Sequence, residues 1–266
     1  MKPAPFRYEA PRSLPDALAL LDGEDARALA GGQSLVPMLN FRLAWPELIV
    51  DLNQVSELAY LQVCDGALRI GALARQATLH RSDVVAAGWP LLTAAVAHVG
   101  HAAIRTRGTV GGSVAHADPA AELPVALTAL DARFHLRSRD GERTLSAAEL
   151  FQGALTTALA PGELLLEIEV PAPVPGARTA FLEQARTHGD FAVAGVAALV
   201  APGAHAAIAL LGAAAVPVRA VAAERALLDG ASAGEVARLA AADVPDHYRR
   251  ALLTTLTERA LERVMA

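Results

Sequence analysis

The chain has 266 residues, 53% of them hydrophobic and 19% charged, with a formal net charge of -5. That length suits one large or two moderate domains of roughly 100 to 200 residues each, and the composition is that of a globular protein without a low-complexity tail. No run of Lys and Arg is present, which argues against a nucleic-acid footprint or an anionic-membrane patch.

The start, Met1-Lys2-Pro3-Ala4-Pro5, lacks the apolar core of a signal peptide, so a cytoplasmic location is expected. Residues 6–11 predict a short strand, and Ser13 caps a helix through Leu21 with Pro15 and Asp16 in its first turn. Residues 27–30 return as a strand into Gly31-Gly32, residues 35–43 fit a helix and residues 47–52 another strand. This is a small βαβαβ-like unit with the glycine pair at a strand-to-helix turn, a place where anions bind. The only cysteine, Cys64, reads as a small, partly buried apolar residue. Residues 68–72 and 77–79 predict strands and residues 89–99 a helix. After a second glycine pair, Gly111-Gly112, come a helix over 122–130, a strand over 134–137, a helical piece over 146–151 and a strand over 164–170. Pro171-Ala172-Pro173-Val174-Pro175-Gly176 is the clearest linker.

Beyond it the pattern changes to three strands, 179–186, 191–200 and 206–211, followed by helices over 220–228, 233–242 and 247–264. In the last, Leu252, Leu256, Ala260 and Val264 mark a buried face. Residues 191–218 carry no charge and are long enough to cross a membrane, but Pro202-Gly203, His205 and Pro217 divide them into the strand-sized pieces of a buried hairpin. Strands followed by helices indicate an α+β arrangement.

The two glycine segments, Ala30-Gly31-Gly32-Gln33-Ser34-Leu35 and Thr109-Val110-Gly111-Gly112-Ser113, have similar hydroxyl and apolar neighbours. They read as two jaws of one anion clamp, because glycine permits positive φ and brings N–H groups up to a ligand with no Cβ in the way. Two ordinary tight turns are the competing reading. The strict G-x-x-x-x-G-K-[ST], G-x-G-x-x-G, G-x-S-x-G and H-E-x-x-H signatures are missing. His98, His101 and His116 lack metal-ligand spacing, so no metal site is assigned, and no catalytic residue either.

Taken in order, the first glycine segment, Arg105-Thr106-Arg107-Gly108-Thr109-Val110-Gly111-Gly112-Ser113, Ala117-Asp118-Pro119-Ala120-Ala121-Glu122-Leu123-Pro124 and Gly189-Asp190-Phe191-Ala192 resemble the FAD-binding medium subunit of the molybdenum hydroxylase family, of carbon monoxide dehydrogenase and xanthine dehydrogenase type. The resemblance runs nearly end to end, through residues 165–171 to His247-Tyr248-Arg249-Arg250 and Glu258-Arg259-Ala260-Leu261. It implies an α+β fold. A FAD-binding PCMH-type domain, vanillyl-alcohol-oxidase-like, would span residues 1–175 as two α/β subdomains, about 1–56 and 57–175. A C-terminal domain with a three-stranded antiparallel sheet and helices would span 176–266. FAD would be held at its diphosphate by Leu29, Ala30, Gly31, Gly32, Gln33, Ser34 and Leu35 and by Thr109, Val110, Gly111, Gly112 and Ser113, chiefly through backbone N–H groups. Glu122 would help fix the cofactor, Leu165 would supply an apolar contact to the flavin, and Phe191 would pack against its ring. Ser113 stands where asparagine is common in the family. Glu183 falls where the xanthine oxidase branch has a lysine near the flavin, which implies a lower flavin potential or a shielded Glu183.

With one cysteine, the chain has no ligands for a cluster of its own, so the [2Fe-2S] clusters and the molybdenum cofactor implied by the resemblance would lie on partner chains. The implied role is electron transfer from an iron–sulfur partner through FAD to an external acceptor. The implied partners are a small iron–sulfur subunit and a large molybdopterin subunit, assembled as a dimer of heterotrimers. Neither nucleic acid nor membrane insertion is expected. A free-standing FAD-dependent reductase of the same fold and a non-redox nucleotide-binding scaffold are the alternatives.

Overall fold

The computed structural model describes every residue except Met1, Glu24 and His188. Its N-terminal part is the expected βαβαβ unit: β1 (Arg7–Glu9), α1 (Leu14–Leu21), β2 (Ala26–Leu29), α2 (Leu35–Asn40) and β3 (Leu48–Asp51), with parallel strands in the order β1-β3-β2. Ser13 caps α1 by accepting the Asp16 N–H at 3.3 Å. The helix then buries Leu14, Ala17, Leu18 and Leu21, a stripe at helical spacing, in one cluster with Leu48 and Val50 of β3. α2 ends at Asn40, short of the expected Leu43, as the chain turns through the left-handed Arg42 (φ 54°).

The middle of the chain begins with a hairpin of β4 (Leu61–Cys64) and β5 (Ala67–Gly71). Six short helices follow: α3 (Gln76–Arg81), α4 (Asp83–Gly88), α5 (Pro90–His98), α6 (Ala102–Arg107), α7 (Val110–His116) and α8 (Glu122–Ala129). Then come β6 (Arg133–Arg137), β7 (Glu142–Ser146), α9 (Ala147–Leu150), β8 (Phe151–Gly153), β9 (Thr156–Thr157) and β10 (Leu164–Val170). An antiparallel sheet of order β4-β5-β10-β6-β7 places the last strand at its centre. Leu68, Ile70, Phe134, Leu136 and Ile168 of this sheet share one core with Leu79, Leu91, Leu92, Leu123 and Leu127 of the helices.

Residues 77–79, expected as a strand, lie in α3. Arg75 is the last extended residue, bridged to Thr109, and the N–H groups of Thr78 and Leu79 turn back to its carbonyl at 2.9 and 3.1 Å. So short an apolar run does not separate a period of 2 from one of 3.6.

The C-terminal part comprises β11 (Arg178–Ala185), β12 (Ala192–Ala201), β13 (His205–Leu211) and β14 (Val218–Arg219), then α10 (Val221–Leu228), α11 (Ala233–Ala240) and α12 (His247–Met265). The short β14 joins the three expected strands as a fourth in an antiparallel sheet of sequential order. Both faces of the uncharged β12–β13 hairpin are covered. Ala197, Leu199, Ala207, Ala209 and Leu211 join the main core. On the other face Val196, Ala198, Ile208 and Leu210 pack with Leu253, Leu256, Ala260, Leu261 and Val264 of α12. Double burial therefore explains the absence of charge, and among the described residues no helix is long and apolar enough to cross a membrane.

Arg219 ties this sheet to α8. It donates to Glu224, to Asp131 Oδ1 at 2.6 Å and to the Thr128 carbonyl, while Glu224 also accepts the buried Ile208 N–H at 2.7 Å. Glu224→Ala would leave a half-buried guanidinium and an amide short of partners, so a loss of about 3 kcal/mol is expected in chemical denaturation. Asp131→Ala, at the exposed end of the same network, is expected to cost less than about 1 kcal/mol.

Candidate functional site

The two glycine segments, far apart in sequence, touch. A methyl group at Gly31 would lie 2.5 Å from the Arg107 carbonyl oxygen and 2.8 Å from Gly108 Cα, and one at Gly112 would lie 3.6 Å from Ala30 Cβ. The reason for glycine differs from the one the sequence suggested. Gly32 alone of the four has positive φ, at 75°. Gly31 is needed for the close approach between segments. Gly111 is needed because a Cβ there would meet Ala72 backbone and side chain at 2.6 to 2.7 Å. Gly111 and Gly112 also do not precede a helix as a turn; they form part of the first turn of α7. The turn before it is made by Thr109, whose Oγ1 accepts the Gly112 N–H at 3.0 Å.

The jaws are unequal in what they can offer a ligand. Among the described residues, no protein acceptor takes the N–H of Gly31, Gly32, Gln33, Ser34 or Leu35, and the Gln33 side chain folds back onto the Gly31 carbonyl at 3.1 Å. In the second jaw four N–H groups are already occupied. Val110 donates to Ala74, Gly111 to Ala72, Gly112 to the Thr109 hydroxyl and Ser113 to the Thr109 carbonyl, at 2.9 to 3.2 Å. The first jaw presents donors; the second is a braced wall.

Two residues that sequence reasoning missed hold the jaws in register. Asn53, in the turn after β3, donates to the Ala30 carbonyl at 2.8 Å. Arg75 donates to Asn53 Oδ1 at 2.6 Å and to the Arg107 carbonyl at 2.5 Å. A single guanidinium therefore links the first jaw, through Asn53, to the second. Neither residue lies in a glycine motif, so the sequence held no signal for them.

The remaining expected site residues are dispersed. Leu29 ends β2, beside Asp51 of β3. Leu165, 6% exposed, sits in the main core opposite Leu136. Phe191 is 72% exposed, an apolar ring with little protein to cover it. Its loop rests on the preceding helices, since a methyl group at Gly189 would lie 2.6 Å from the His101 ring. Glu122 heads α8 and is 7% exposed; burial, its largest influence, pushes its carboxyl up to about 7, with Glu183 and Asp118 raising it further against its own backbone N–H and His98. Glu183 is shielded, the second of the two expected outcomes: its side chain is 5% exposed and its Oε1 lies 3.2 Å from His98 Nδ1. That contact raises the His98 pKa against the effect of burial. His135, Glu167 and Glu169 also lie close enough to share an ion, but Arg69 already pairs with both carboxylates, at 2.8 and 3.4 Å.

Residues 4–173 match the model of the FAD binding domain in molybdopterin dehydrogenase. The chain belongs to this family. It is 40% identical to the 6-hydroxypseudooxynicotine dehydrogenase complex subunit alpha of Paenarthrobacter nicotinovorans, over 100% of this chain and 96% of that one. It is 39% identical to the carbon monoxide dehydrogenase medium chain of Afipia carboxidovorans, over 75% and 70% of the two chains. Among solved structures, a carbon monoxide dehydrogenase from Hydrogenophaga pseudoflava superposes with a TM-score of 0.94 at 36% identity, covering 100% of this chain and 99% of that one. Quinoline 2-oxidoreductase from Pseudomonas putida gives a TM-score of 0.92 at 36% identity, with 99% and 98% covered.

This FAD-domain family member holds its jaws by backbone packing, which sets the outcome of substitutions. Gly31→Val and Gly111→Val are expected to lower stability by at least about 2 kcal/mol through collision with Arg107 and Ala72, in addition to losing flavin. Asn53→Ala should cost only about 1 kcal/mol while releasing the first jaw. Thermal unfolding beside flavin per chain after gel filtration checks both; Asn53→Ala at full flavin content would show that Asn53 does not hold the jaw.

Proposed function

We propose that the chain is the flavin-carrying electron-transfer subunit of a multi-subunit molybdenum hydroxylase, with FAD at residues 29–35 and 109–113. The observation that carries the reading is the set of five backbone N–H groups of residues 31–35, without protein acceptors and gathered on a turn pressed against a second glycine segment. Buried or half-buried amides without acceptors are costly, and a diphosphate supplies several charged acceptor oxygens at that scale. FAD, when bound, contributes a redox centre able to exchange electrons singly or in pairs. The chain's own contribution is placement: Asn53 and Arg75 fix the jaw, Phe191 offers an uncovered aromatic face, and Glu122 offers a carboxyl at the head of the helix that packs on α7. Leu165 would reach the flavin through its small exposed edge. The flavin-binding domain would span 1–175, with subdomains meeting near residue 56, and the C-terminal domain 176–266.

Electrons would come from [2Fe-2S] clusters on a small partner subunit and ultimately from a large molybdopterin subunit, the three chains forming a dimer of heterotrimers. Support comes from relatives named as subunits or medium chains of dehydrogenase complexes and from the single cysteine here. Titration of the FAD-free chain should give tight binding of FAD and binding of FMN, which lacks the diphosphate, weaker by about a hundredfold, the worth of two charge-assisted hydrogen bonds. Equal affinity for both would sink the diphosphate clamp. Purification from the native cell should bring two further chains with the flavoprotein; recovery alone, with its own turnover of a nicotinamide substrate, would replace the complex by a free-standing reductase.

A further inference from the structure

Among the described residues, the exposed large apolar side chains are not evenly spread. Six of the sixteen lie between residues 6 and 45: Phe6, Tyr8, Val36, Phe41, Leu43 and Trp45. The segments that carry them run side by side. β1 pairs with β3 in parallel register, the Arg7 N–H donates to the Glu47 carbonyl at 2.8 Å, and Arg42 Nε donates to the Lys2 carbonyl at 3.4 Å. The result is one surface, tied to the first jaw at both ends. At one end Val36 belongs to α2, which starts at the last jaw residue, and a methyl group at Gly32 would lie 3.3 Å from Val36 Cγ2. At the other the Tyr8 hydroxyl donates to Asp51 Oδ2 at 2.5 Å. Asp51 Oδ1 in turn accepts the N–H of Asn53, the residue that holds the Ala30 carbonyl.

The turn that displays these side chains is built against the usual preference. The Leu43 N–H donates to the Met38 carbonyl at 2.8 Å and the Arg42 N–H to the Leu39 carbonyl at 3.1 Å. This Schellman closure of α2 ordinarily takes glycine at its left-handed residue and packs the next apolar side chain back onto the helix. Here the left-handed residue is Arg42, Leu43 is 68% exposed, and Trp45 is 64% exposed beside a buried Pro46. A strained turn thus holds apolar side chains out in water, which is unfavourable unless another surface covers them. The arginines that pair with carboxylates among the described residues are Arg69, Arg137, Arg139, Arg143 and Arg219. Arg7 and Arg42, at this surface, pair with none.

We propose that this surface is the face on which the iron–sulfur chain docks. The proposal rests on the electron-transfer reading above. With one cysteine here, the clusters belong to another chain. Electron transfer weakens steeply with distance, so the chain that carries them must sit close to the flavin, and this surface begins where the first jaw ends. A [2Fe-2S] cluster on four thiolates is net negative, which suits an apolar face whose arginines lack carboxylates. Aromatic side chains and arginine are also the residues that anchor protein interfaces. A second copy of the same face would instead gather those arginines around a two-fold axis.

Dilution of the complex purified from the native cell through a tag on this chain tests the face, with the iron–sulfur chain identified by its iron and acid-labile sulfide. Trp45→Ala should weaken the hold on that chain at least about thirtyfold, the effect of losing a buried aromatic anchor. Arg42→Glu should weaken it about tenfold and make the affinity less dependent on salt. Both side chains are exposed, so thermal unfolding of each variant should match the wild type. Val63→Ala, which trims an exposed apolar side chain on β4, should leave the complex intact. An unweakened complex in either variant, equal weakening by Val63→Ala, or departure of the molybdopterin chain while the iron–sulfur chain stays would each overturn the docking face and leave the flavoprotein reading standing. So would a wild-type chain that is dimeric alone and made monomeric by Trp45→Ala, since the occupant would then be a second copy. A wild-type chain recovered with no partner would overturn the subunit reading, and the docking face with it.

Discussion

Gly31 lies closer to the Arg107 carbonyl and to Gly108 than any residue with a side chain could, and the geometry of the site follows from that contact. It brings the parallel N-terminal unit against the helical side of the five-stranded antiparallel sheet, backbone to backbone. The Arg107 carbonyl at the contact is satisfied by Arg75, which at the same time reaches Asn53 and through it the Ala30 carbonyl. The acceptors on both sides of the seam are therefore spoken for by side chains. The donors that follow Gly31 have no acceptor among the described residues. A turn that leaves five successive N–H groups without protein acceptors is unfavourable unless solvent or a ligand supplies them, so the same constraint that joins the two parts leaves donors available to an anion.

The asymmetry between the jaws has a mechanical consequence. The second jaw is stitched into the Ala72–Ala74 segment and its own cap, so its backbone cannot respond to a ligand without breaking hydrogen bonds. The first jaw is fastened at the Ala30 and Gly31 carbonyls and leaves its amides without protein acceptors. Removing a Cβ served close packing at Gly31 and Gly111, and backbone freedom at Gly32 alone.

Much of this arrangement was readable from residue order. The βαβαβ unit, the three long C-terminal strands and the amphipathic α12 announced themselves through caps, prolines and periodic apolar residues, signals that depend on neighbours in sequence. The uncharged 191–218 stretch was interpretable because Pro202-Gly203 and His205 divide it. What could not be read was set by partners distant in sequence. α3 looked like a strand because its helical turn depends on Arg75 pausing to bridge Thr109. α6 and the two-residue β14 are too short to show a period. Asn53 and Arg75 are ordinary polar residues until the fold brings the two loops to them. Glu183 could be flagged as unusual, but its shielding by His98 arises only when β11 packs on the end of α5.

The buried carboxyl at the head of α8 makes part of the fold's stability depend on pH. Glu122 has an ordinary value of 4.5 when exposed and one near 7 in the folded chain, so the folded state binds more protons over that interval. Stability is then fully present below about 4.5 and is lost progressively as pH rises to about 7, above which the penalty is constant. A hydrogen-bond donor brought to the ionised carboxylate would remove part of that penalty in the range where it is largest. Glu183 lies on the C-terminal sheet and Glu122 at the head of the helical layer, so one of the like charges that hold the proton on Glu122 comes from the other part of the chain, where His98 pairs with it.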